Sequence, residues 1–66
     1  QHDYTQAIRD YDEALRVCPR FAEALYGRGV AKLRSGDNAG GATDLAAAEA
    51  IEPSVSETAA KLGILR

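Results

Sequence analysis

Residues 3–19 read DYTQAIRDYDEALRVCP, and residues 37–53 read DNAGGATDLAAAEAIEP. Laid one over the other, they match Asp3 with Asp37, Asp10 with Asp44, Ala14 with Ala48 and Pro19 with Pro53, always 34 positions apart. The register continues outward through Glu23 with Glu57 and Gly29 with Gly63. Conservative pairs fill the gaps: Ala7 with Gly41, Tyr11 with Leu45, Val17 with Ile51, Val30 with Ile64, Lys32 with Arg66. A fixed period of this size marks a solenoid, whose units bury their apolar faces only by stacking on one another. A scaffold that binds something is the expected role.

Each half of the period reads as a helix. Tyr4, Ala7, Ile8, Tyr11, Ala14 and Leu15 follow the i, i+3, i+4, i+7 spacing of a single apolar stripe. Asp3 caps this helix with Gln6 placed to answer it, and Pro19 ends it by pushing Cys18 out of the α region. A second helix spans 21–34, with Phe21, Ala24, Leu25, Val30 and Leu33 as its apolar residues. Lys32 and Arg34 suit its C-terminal dipole, and Gly36 stands where a left-handed cap belongs. Gly27 and Gly29 each cost this helix about 1 kcal/mol relative to alanine, so close contact is expected at both.

Asp37 caps a third helix over 38–51 whose face of Gly41, Ala42, Leu45 and Ala48 is small. High helix propensity supports it, but little apolar area is buried, and it is expected to be the softest part of the core. Pro53 closes it. Ser54 and Glu57 then open a fourth helix over 54–65, with Val55, Ala59, Leu62 and Leu65 on one side. No strand-like alternation is present and the connections are short, so the fold class is all-α: four antiparallel helices in residues 1–66, forming one domain.

This pattern resembles the tetratricopeptide repeat, a helix–turn–helix unit of the same length. The motif positions read Leu25, Gly29, Gly41, Leu45, Ala48 and Pro53, preceded by Ala7, Tyr11, Ala14 and Pro19 and followed by Ala59 and Gly63. Leu25 replaces the usual tryptophan, Gly41 the usual alanine, and Arg28 and Lys32 stand where leucine and tyrosine are common. The phasing gives one full repeat flanked by two half repeats, as in a piece of a longer array or a unit that completes itself by association.

The resemblance implies a protein–protein interaction module that binds a peptide or partner helix on its concave face. Position by position, the groove candidates are Glu23, Tyr26, Gly27, Val30, Leu33 and Arg34, continued by Glu57, Ala60, Lys61 and Ile64. A chaperone-carboxylate clamp is not the expected mode, since Val30 stands at its asparagine position and Glu23 and Glu57 would repel a carboxylate. As an alternative, the first-helix stripe of Tyr4, Ile8, Tyr11 and Leu15 is only partly covered and is a candidate self-association surface, giving a homo-oligomer. Nucleic-acid contact through the Arg28/Lys32 face is a minor alternative, because the acidic first helix dilutes it.

Other chemistry finds little support. Asp10, Asp12 and Glu13 cluster, but without a histidine or a shaped loop they read as a solvated helix face. His2 and the single Cys18 have no metal-ligand spacing, and Cys18 reads as an inert thiol. No nucleophile, base and orienting group surround a pocket, so an enzyme is not expected and no cofactor is implied. A net charge of −2 gives no pull toward anionic surfaces, and no apolar run is long enough to span a membrane. The lone thiol fits a reducing, cytoplasmic setting.

Overall fold

The computed structural model describes residues 3–62, and among them the chain forms four helices and no strand. They are α1 (Tyr4–Val17), α2 (Ala22–Ser35), α3 (Asn38–Ile51) and α4 (Val55–Leu62). The last turn expected of the fourth helix lies outside the described residues.

Local chemistry sets the boundaries. The Asp3 carboxylate accepts from the Gln6 N–H at 3.0 Å, and the Asp37 carboxylate from the Gly40 N–H at 2.9 Å, each filling an orphan donor at a helix start. Only half of the first capping box forms, because the Gln6 amide reaches forward to Asp10 at 2.9 Å instead of back. Both prolines stop a helix: Cys18 and Glu52, the residues before them, lie outside the α region at φ −130° and −138°. The α2 C-terminus closes as a Schellman motif. Gly36 takes φ +102°, the Asp37 N–H reaches the Lys32 carbonyl at 2.8 Å, and the Gly36 N–H reaches the Leu33 carbonyl at 3.2 Å. Helix α2 begins one residue later than the spacing suggests, with Phe21 in the cap position.

Helix α2 is the centre of the fold. It packs most extensively on α3, then on α1, then on α4. Its buried residues are Ala22, Ala24, Leu25, Gly27, Gly29 and Ala31, an unusually small set for a helix with three neighbours. A core of Leu15, Ala22, Ala24, Leu25, Ala48 and Val55 joins all four helices, with Tyr11, Tyr26 and Ile51 packed against it.

Small residues let the backbones close up. A Cβ built on Gly29 would meet the Gly41 carbonyl oxygen at 2.9 Å and Leu45 at 3.0 Å, and one on Gly41 would meet the Gly29 carbonyl oxygen at 2.8 Å. At Gly27 the intruder is the Tyr11 ring of α1, whose oxygen would lie 2.6 Å from an added Cβ. The expectation of close contact at Gly27 and Gly29 therefore holds. On α3, Gly41 permits close backbone approach to α2, and Ala48 is fully buried.

A Gly29→Ala substitution forces two backbones apart. The gain in helix propensity is smaller than this overpacking, which should leave the chain about 1–3 kcal/mol less stable. Urea unfolding followed by circular dichroism checks it, and an unchanged midpoint would show that the α2–α3 seam can relax.

Candidate functional site

The sequence offers two polar surfaces on α2, and the helix packing treats them differently. Arg28 and Lys32, one turn apart, face the neighbouring helices. Arg28 grips Asp44 of α3 with two parallel hydrogen bonds, Nε to Oδ2 at 2.7 Å and Nη2 to Oδ1 at 2.9 Å. Its Nη1 donates to Asp12 of α1 at 2.7 Å, and Lys32 Nζ lies 3.1 Å from Asp44 Oδ2. One guanidinium thus ties three helices together. Asp44 is 5% exposed, so its charge persists only because both cations reach it.

Burial alone would raise the Asp44 carboxyl. The hydrogen bonds and charges of Arg28 and Lys32 together outweigh it and hold the group below the ordinary value of 3.8. The bond to Asp44, opposed by desolvation and helped by Asp12, raises Arg28 above its already high value. This network corrects the reading of Arg28 and Lys32 as an open basic face: both cations are paired with carboxylates of the neighbouring helices. It also corrects the reading of Asp12 as merely solvated. The other members of that carboxylate group go separate ways, Asp10 to Gln6 and Glu13 to Arg16, rather than converging on a common point. Sequence reasoning missed Asp44, although its place among the identical period mates was the signal that could have found it.

The second surface is the groove set. Glu23, Tyr26 and Val30 are half-buried and Arg34 is exposed, at a spacing that puts them in one stripe along α2. Tyr26 packs its ring against the core, which fixes its position. Gly27 is buried under Tyr11 and leaves the set. Leu33 is 36% exposed and lies over Gly41, at the edge of the α2–α3 seam. On α4, Glu57 and Lys61 are exposed. Ile64 and the side chain of Ala60 lie outside the described residues.

The first-helix stripe is partly covered by α2, as expected: Leu15 is buried in the core, Tyr11 lies against Gly27, and Tyr4 and Ile8 are half-buried. The described residues hold no group of three or more histidines, cysteines or carboxylates placed to bind a metal ion, and no helix among them is long and apolar enough to cross a membrane.

Removing the Asp44 charge tests the network. Asp44→Asn should cost about 1–3 kcal/mol at neutral pH, since a half-buried guanidinium loses its bidentate partner. Because the folded carboxyl is depressed, its contribution is full above the ordinary value of 3.8 and drains away as pH falls through the lower folded value. The variant should therefore show a shallower acid limb in a stability-against-pH profile. Parallel acid limbs would remove the network from the acid response.

A model of the TPR repeat matches residues 1–36. No curated protein and no solved structure matches the chain. TPR repeats are generally protein–protein interaction modules and typically non-catalytic scaffolds. With the match covering more than half of the sequence and the helices following one another as that repeat requires, the chain belongs to the TPR repeat family.

Proposed function

We propose that this chain binds a peptide or partner helix along the stripe of Glu23, Tyr26, Val30 and Arg34 on α2, extended by Glu57 and Lys61 on α4. The observation that carries the reading is the accessibility of this stripe on a helix already packed by three others. Every other position of α2 from Ala22 to Lys32 is buried or committed to an ion pair.

The chemistry of the stripe suits a polar-ended ligand with an apolar middle. Tyr26 is an anchored aromatic, and aromatics of low conformational freedom are the usual hot spots of protein interfaces. Val30 adds apolar area beside it. Glu23 stands in the first turn of α2 and Arg34 in the last, with Glu57 and Lys61 in the same order on α4. A segment basic at one end and acidic at the other meets complementary charge along both helices, which fixes its direction more than its affinity. No covalent step is involved.

Selection of displayed random peptides on the folded chain tests this. Binders should lose about thirtyfold in affinity to Tyr26→Ala, a hot-spot loss of about 2 kcal/mol. They should also weaken on Arg34→Glu while the helix content is unchanged. Peptides that bind both variants as well as the parent would place the ligand face elsewhere.

A further inference from the structure

Six residues of the chain carry an aliphatic hydroxyl: Thr5, Ser35, Thr43, Ser54, Ser56 and Thr58. Only Ser35 has a lysine or arginine among the four residues before it, Lys32 three positions back and Arg34 adjacent. The others follow acidic or uncharged stretches: Asp3 lies before Thr5, Glu52 before Ser54 and Ser56, and Glu57 before Thr58.

The structure separates them further. Ser35 is the last residue of α2, within residues 33–39, which are exposed throughout and form the longest such run among the described residues. Its hydroxyl donates to the Lys32 carbonyl of its own helix at 2.9 Å. Thr58, by contrast, is half-buried and donates to the Glu52 carboxylate at 2.8 Å, and Thr43 is held inside α3 by the Ala39 carbonyl at 3.0 Å. Offering Ser35 to an enzyme opens only the last turn of α2, where two cap bonds from the Gly36 and Asp37 N–H groups are released. Helix ends open in this way at low cost.

We propose that Ser35 is a phosphorylation site for a protein kinase that reads basic residues before its acceptor, and that the phosphate loosens the α2–α3 seam through Lys32. The Ser35 Oγ attacks the γ-phosphorus of ATP, the bond to the bridging oxygen breaks, ADP leaves, and the hydroxyl proton goes to the kinase's own base. Lys32 and Arg34 supply the charge pattern by which kinases tell one acceptor from another. The site is independent of whatever the α2 stripe binds.

The product is poorly placed for α2. Phosphate adds nearly two negative charges in the last turn, where the carbonyls already converge with partial negative charge. Its ester oxygen has no proton left to give the Lys32 carbonyl. The cation nearest along the helix face is Lys32, one turn back, whose Nζ lies 3.1 Å from Asp44. Drawing Lys32 to the phosphate leaves the buried Asp44 carboxylate with Arg28 alone.

Incubating the folded chain with ATP and a kinase selective for upstream basic residues, followed by mass spectrometry, tests this. One phosphoryl group should appear, on Ser35, and Ser35→Ala should take up none while its folding constant stays within about twofold of the parent's. Replacing Lys32 and Arg34 together by alanine should slow the uptake about tenfold, as loss of matched charge does to a specific encounter. Urea unfolding of the phosphorylated chain should give a folding constant about fivefold lower, the size of an adverse charge at a helix end. In Lys32→Ala the same phosphate should cost only about twofold, since the ion pair it would disturb is already gone. No uptake, uptake first at another hydroxyl, a rate indifferent to the two cations, a phosphorylated chain as stable as the parent, or the full cost retained in Lys32→Ala would each overturn the proposal.

Discussion

The close approach of α2 and α3 at Gly29 and Gly41 is the constraint on which the rest of the arrangement depends. Each backbone carbonyl oxygen stands 2.8–2.9 Å from where the other glycine's Cβ would be, closer than a real Cβ contact allows. The helices give up propensity to achieve this, about 1 kcal/mol for each glycine against alanine. In return the side chains that flank the seam arrive within bonding distance of each other. Arg28, beside Gly29, meets Asp44, three residues beyond Gly41, and Leu33 folds over Gly41 itself. A wider separation would leave a half-buried guanidinium and a buried carboxylate facing a gap, which is far more costly than either group in water.

The second consequence concerns what the ion-pair network does. Positions 28 and 32 are ones where the family favours apolar residues, and a well-packed apolar substitute for a buried pair is often equal or better in stability. Arg28 and Lys32 add direction. A guanidinium plane held by two oxygens of Asp44 and one of Asp12 accepts a single orientation of α1 relative to α3. Apolar contacts between residues as small as Ala24, Gly29 and Ala48 would tolerate sliding. The network therefore adds an alignment that small apolar contacts alone would leave loose.

Much of this was legible in the sequence because it is local. Pro19 and Pro53 stop helices by sterics within a dipeptide, Asp3 and Asp37 cap by bonds over three residues, and Gly36 takes its positive φ at a predicted helix end. The need for close contact at Gly27 and Gly29 could be read from their cost alone. What could not be read depends on the angle between helices. Arg28 looks like part of a basic face until α3 is laid beside it, because its partner Asp44 is sixteen residues away. Leu33 falls on the groove side by helical spacing, and it lies close over Gly41 of α3, where no side chain stands in its way.

Burial is a property of neighbours, and the period makes that separable from sequence. Asp10 and Asp44 are the same residue in the same register, as are Ala14 and Ala48, so their local preferences cancel when they are compared. What differs is the helix lying on top. Asp44 is charged, buried and doubly partnered because α2 brings two cations to it; Asp10 is exposed and accepts from the Gln6 amide. A carboxylate retained at both places is compatible with burial only where cations accompany it, so in the described residues the second place is a structural keystone and the first is a surface group. Hydrophobic positions carry no such requirement. Phe21 and Val55 are both apolar, but only Val55 recovers the free energy of leaving water, about 1.5–3 kcal/mol for a side chain of that class.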